Sequence, residues 1–211
     1  MSDQVFWYVT RSAALISWLA ASLSLLIGLT TSSRFLGRRP TIPWLVDLHR
    51  HLAAMAVTFL GIHMLSLWLD GFVQFRWAEL LIPWYATVPG LTRTSMALGV
   101  IAAWLLAAVQ ISSLLKDRMP ENVWRTIHLL SFGTLGAGTL HAIQAGSDAD
   151  NPLVLAVGMS VLTAIMLATV VRAIRLREAE AEAADPQPSV RRSAQPKGST
   201  QHPGPVGQHS Q

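Results

Sequence analysis

The chain has 211 residues, of which 51% are hydrophobic and only 13% charged, with a formal net charge of +4. That basic excess does not point to nucleic acid, because the basic residues gather in short loops beside apolar runs, where membrane topology accounts for them. There is no cysteine, which excludes disulfides, iron–sulfur clusters and thiolate zinc sites and leaves redox chemistry to a histidine-bound or organic cofactor.

Charge-free apolar runs fall at 12–33, 51–69, 94–115, 126–147 and 151–171. Each is near the ~20 residues that cross a hydrocarbon core as a helix. The expected fold is all-α: a polytopic membrane helix bundle of about five transmembrane helices over residues 12–175. A short segment, 1–11, precedes it and a tail, 176–211, follows. The first run is too long for a signal-peptide core, its leader is nearly uncharged, and basic residues come after it, so a membrane span is expected there.

Arg34, Arg38 and Arg39 follow the first run, and Arg50 opens the second. Between them, residues 40–48 hold Trp44, one of four tryptophans (with Trp68, Trp84 and Trp124) near span ends, where interfacial aromatics belong. The stretch "FRWAELLIPWYATVPG" after the second run is too short and proline-broken to cross. It reads either as a short amphipathic piece along the interface or as an ordinary loop. Lys116, Arg118 and Arg125 surround the link before the fourth run, and Arg172, Arg175 and Arg177 follow the fifth. The opposite side carries only Arg11, Arg76 and Arg93, offset by Asp3, Asp70, Glu79, Asp148 and Asp150. The positive-inside rule then puts the N-terminus outside and the C-terminus in the cytoplasm. Arg outnumbers Lys and Ala is abundant, which points to a GC-rich bacterial genome and so to a plasma membrane. Beyond Arg177 the chain is polar and rich in Pro, Gln and Ser. It is expected to be a disordered cytoplasmic tail, helical at most through its Glu-Ala start, with His202 and His209 in solvent.

The chemistry lies in the histidines of "DLHRHLAAMAVTFLGIHM" and of the fourth run. His49 and His63 are 14 residues apart, about 21 Å along a helix and within about 40° of one face. His51 lies about 120° from His63 and falls on another face. The fourth run supplies His128 and His141. With both runs oriented the same way, His49 pairs in depth with His128 and His63 with His141. Facing side chains in a bundle core are a common way to hold a cofactor. A flat iron macrocycle needs one neutral imidazole above and one below, so two b-type haems are expected about 20 Å apart. His128 and His141, however, are 13 residues apart and about 140° out of register on a regular helix. Gly133, Gly136 and Gly138 lie between them and permit a locally tightened turn.

"SLSLLIGLTTSSRFLGRRP", "LHRHLAAMAVTFLGIHMLSLWLD" and "ISSLLKDRMPENVWRTIHLLSFGTLGAGTLHAIQAGSD" together resemble the ferric reductase-like transmembrane domain, a family of ferric reductases, NADPH oxidases and the haem subunit of a periplasmic methionine sulfoxide reductase system. The resemblance covers about residues 10–175 and is most specific in the histidine spacings. It implies that His49 and His128 ligate an inner haem, and His63 and His141 an outer one. It makes Arg50 and Arg125 candidate counter-charges for propionates, equally readable as positive-inside anchors. Arg11 matches in position an arginine of the oxidase branch, but reads more simply as an interfacial side chain. Unlike the large family members, this chain has only the polar tail where a flavin and NADPH domain would follow. The resemblance therefore implies a stand-alone module with no flavin site. It would take electrons from a separate flavoprotein or from quinol and pass them to an extracytoplasmic acceptor or redox partner protein. The competing functions are transport of a metal or of protons through intramembrane histidines, and a structural membrane subunit.

Overall fold

The computed structural model describes residues 2–32, 43–71 and 75–184. Arg34, Arg38, Arg39, His202, His209 and the rest of the expected tail lie outside the described residues. In chain order the elements are α1 (Ser2–Ser32), α2 (Pro43–Leu69), α3 (Trp77–Leu81), α4 (Arg93–Leu114), a 3-10 turn (Lys116–Arg118), α5 (Glu121–His128), α6 (Leu130–Ala145) and α7 (Pro152–Ala184). No strand occurs among the described residues. Four helices, α1, α2, α4 and α7, are long and apolar enough to cross a membrane.

The run 126–147, expected as one span, is divided between α5 and α6 at Leu129. Leu129 keeps helical torsions, φ −64° and ψ −20°, which are those of a 3-10 turn. The Phe132 N–H donates to the Leu129 carbonyl, three residues back, at 3.2 Å. α6 thus continues α5 through one overwound step, and the two together reach ~37 Å at 1.5 Å per residue. Three residues at about 120° instead of 100° recover roughly 60° of the register gap between His128 and His141. The tightened turn lies directly after His128 and not at the glycines, where the sequence suggested it. Gly133 and Gly138 serve packing instead, against Leu105 and against Ala102 and Trp18.

Met1–Arg172 forms one compact unit. Its backbone is two tightly packed pairs, α1 along α2 and α4 along α6. The α1–α2 pair is close because α1 turns small residues inward: Ala13, Ser17, Ala20 and Ser24 are all buried. They recur every three or four positions, and where no solvent-driven force separates helix from lipid, such a stripe lets backbones approach. Ser17 donates to the Ala56 carbonyl at 2.8 Å in the middle of this seam. α1 also meets α6, where the Trp18 indole N–H donates to Thr139 Oγ1 at 2.9 Å, and α2 meets α4. α2 makes no packing of comparable extent with α5 or α6, so the two histidine-bearing elements stand across the bundle from each other. In the part of α7 within this unit the buried residue is Ile165. Ala173–Gln211 forms a second unit, whose described part is the exposed end of α7.

The stretch after α2 contains both readings offered for it: α3 is a five-residue helix followed by turns. Phe75, Leu80 and Ala86 pack with Met96 of α4 and against Met64 and Leu67 of α2. The Trp104 indole N–H ties α4 to the Leu81 carbonyl at 2.9 Å. α1 begins well before the charge-free run at residue 12. Arg11 lies inside it and forms a two-point ion pair with Asp148, between α6 and α7. Its guanidinium also lies 4.0 Å from the Trp7 ring centre. The pair is about three-quarters or more covered, with side-chain exposures of 27% and 16%, so Arg11 is a tie between elements and not a free interfacial side chain.

Candidate functional site

α1 and α4 position the histidines. His49 and His63 project from α2 onto α1, and His128 and His141 project from α5 and α6 onto α4. His63 Nδ1 lies 3.0 Å from the Thr10 carbonyl oxygen. His141 Nδ1 lies 2.7 Å from the Ser95 carbonyl oxygen. His49 Nδ1 lies 2.9 Å from both the carbonyl and the hydroxyl oxygen of Ser24, while that hydroxyl donates to the His49 carbonyl at 3.1 Å. A carbonyl can only accept, so in these three rings Nδ1 carries a proton, which in the neutral imidazole leaves the lone pair on Nε2. For His128 the partner is Ser113 Oγ at 3.4 Å. Ser113 donates its own proton to the Val109 carbonyl at 2.7 Å, so towards His128 Nδ1 its oxygen can only accept, over a contact longer than those of the other three rings. Metal-bound histidines show this arrangement, the second nitrogen held by a carbonyl or hydroxyl that fixes tautomer and ring orientation.

A glycine lies beside each of two rings, and at one of them the ring fills the space a side chain would take. A Cβ at Gly99 would lie 2.8 Å from His141 Cε1 and Nδ1 and 3.0 Å from Nε2. A Cβ at Gly28 would lie 3.4 Å from His49 Cε1. In both helices the glycine follows the accepting serine by four residues, Ser24 then Gly28 on α1 and Ser95 then Gly99 on α4. Both seats orient the ring with a serine carbonyl, but only at Gly99 does the ring occupy the space of the missing side chain; a Cβ at Gly28 would make ordinary contact. Around His63 the lock differs. Thr10 Oγ1 and Ser66 Oγ are 2.7 Å apart, and Ser66 donates to the His63 carbonyl at 2.9 Å.

The rings of His49 and His128 come together from different helices, with centroids 6.1 Å apart and planes tilted by 59°. Two metal–imidazole bonds of about 2 Å set back to back put ring centres about 6 Å apart. His63, toward the other end of α2, and His141, on α6, are the remaining two imidazoles of the four. Among the described residues no three His, Cys, Asp or Glu side chains converge. Each centre therefore offers two imidazoles, too few for a bare zinc ion, which takes four ligands. Two imidazoles suit a metal that brings its own equatorial donors.

His51 is set apart. It is exposed, and its Nδ1 bonds to the Asp47 carbonyl of its own helix at 2.7 Å. Arg50 is exposed as well. Arg125 pairs with Glu121 one turn back at 2.6 Å, with side-chain exposures of 70% and 69%; this is a solvated intrahelical pair. Trp44, Trp68 and Trp84 are exposed, as interfacial residues are, but Trp124 is not: it stacks on His128 with ring centroids 5.0 Å apart. Comparison with protein-family models, with curated proteins and with solved structures returns no match.

Proposed function

We propose that the chain is a dihaem b-type electron conduit of the bacterial plasma membrane, in which His49 and His128 would hold one haem and His63 and His141 the other. The observation that carries this reading is the approach of the His49 and His128 rings to 6.1 Å between centroids, with Nδ1 of His49 already engaged by Ser24. Bound haem supplies one-electron chemistry at iron. The chain's part is to hold four imidazoles in fixed orientation and to set the spacing of the two centres. The 14 residues from His49 to His63 correspond to about 21 Å along α2, so the centres lie at two depths of one membrane. A haem held by two histidines would have no open position for substrate, and transfer to an acceptor would then be outer-sphere.

With the N-terminus outside, His49 and His128 lie on the cytoplasmic side. A separate flavoprotein or quinol is then the donor and an extracytoplasmic molecule or redox partner the acceptor. Transport of a bare metal ion is less well supported, since no three ligating side chains converge among the described residues. The test is pairwise loss. His49→Ala and His128→Ala should remove the same haem, and His63→Ala and His141→Ala the other. Variants that lose haem in any other pairing, or not at all, refute the assignment.

A further inference from the structure

We propose that Trp124 and Lys116 form the seat for a carboxylate of the group held by His49 and His128, the role that the sequence offered to Arg50 and Arg125. This rests on the haem reading and extends it. Trp124 Nε1 is a buried donor with no hydrogen-bond partner. A buried N–H left unmade costs the full desolvation of that group, about 1–3 kcal/mol, so such atoms are normally satisfied by something. Four features say by what.

The indole lies on the His128 ring, 5.0 Å between centroids and 30° between planes, so the acceptor belongs at the His49/His128 centre. The Lys116 ammonium lies 4.4 Å from the Trp124 ring centre, placing a cation beside the donor and favouring an anionic acceptor. Arg125, the nearest arginine in sequence, is already engaged by Glu121 and faces solvent. The protein offers no carboxylate of its own to Trp124 Nε1. The propionate groups of a b-type haem are carboxylates of the required kind, and a hydrogen bond from a neutral indole with an ammonium nearby suits one at a membrane boundary.

The full-length chain is reconstituted with protohaem and, separately, with its dimethyl ester, whose side chains carry no charge. The wild-type protein should bind the ester at the His49/His128 centre roughly ten- to a hundredfold more weakly, the size of one hydrogen bond to a charged group. Trp124→Phe keeps a ring on His128 but has no N–H, and should lose most of this discrimination while the His63/His141 centre stays loaded as an internal folding control. Ultraviolet resonance Raman gives a second readout: the tryptophan N–H band lost in Trp124→Phe should be the one that shifts when protohaem enters the wild type. Equal discrimination against the ester in wild type and Trp124→Phe, or a Trp124 band indifferent to loading, overturns the proposal while leaving the dihaem reading intact. A wild-type protein that takes up no haem overturns both.

Discussion

Gly99→Ala and Gly28→Ala are the same chemical change at corresponding points of the two histidine seats, and the structure expects opposite results. Both substitutions gain the same helix propensity, about 1 kcal/mol, so the difference between them isolates the contact with the ring. At Gly99 the new methyl would be 2.8 Å from two atoms of His141, against the ~3.5–4.0 Å at which carbon atoms rest. The ring must retreat by roughly 0.7 Å or more, and the 2.7 Å bond from Nδ1 to the Ser95 carbonyl then stretches beyond the usual ~3.2 Å limit. Overpacking costs about 1–3 kcal/mol and the lost hydrogen bond about 1 kcal/mol. Together these amount to ~2–4 kcal/mol, or a 30- to 1000-fold loss of affinity for a group bound through His141. At Gly28 the methyl meets His49 at 3.4 and 3.6 Å, ordinary contact, and the effect should be within about 0.5 kcal/mol. The assay is haem per chain in each variant over a titration of haem, with thermal midpoints as a control for folding. Equal losses in the two variants, or a harmless Gly99→Ala, would refute the seat geometry.

His51→Ala should leave haem content and absorbance unchanged, since His51 bonds only to its own helix; loss of either haem in that variant would put it in the site. Asp148→Asn should lower stability by about 1–3 kcal/mol, the range for hydrogen bonds to a charged group, read as a fall in the thermal midpoint in detergent. Arg11→Gln combined with Asp148→Asn should cost little more than either alone, and additive losses would show that the pair is not coupled. Ser24→Ala keeps the carbonyl that orients His49 and removes only the hydroxyl contacts. It should therefore weaken haem binding by no more than about 1 kcal/mol, and a complete loss would mean that the hydroxyl holds the ring.

The helical class and the long apolar runs were legible because hydrophobic length is written locally in the chain. So was the shared face of His49 and His63, which needs only a regular helix, and α2 is regular. The relation of His128 to His141 was not, because it turns on the single overwound step at Leu129, whose side chain gives no sign of it. The histidines' partners were hidden for a different reason: Thr10, Ser24 and Ser95 accept through backbone carbonyls, which every residue has. One trace was available. The repeated Ser-x-x-x-Gly of Ser24–Gly28 and Ser95–Gly99 marks two ring contacts on two different helices, of which the one at Gly99 is a close approach. Arg125 was readable too, since Glu121 stands one helical turn before it. Arg11 was not, because its partner Asp148 lies 137 residues away.

The most direct test of the account is a dithionite-reduced minus oxidised spectrum of the purified chain, with haem counted per polypeptide. Two low-spin b-type haems per chain, with sharp Soret and alpha bands on reduction, are expected, falling to one in His49→Ala and to one in His141→Ala. A purified chain without haem, or full haem in all four histidine variants, would contradict it.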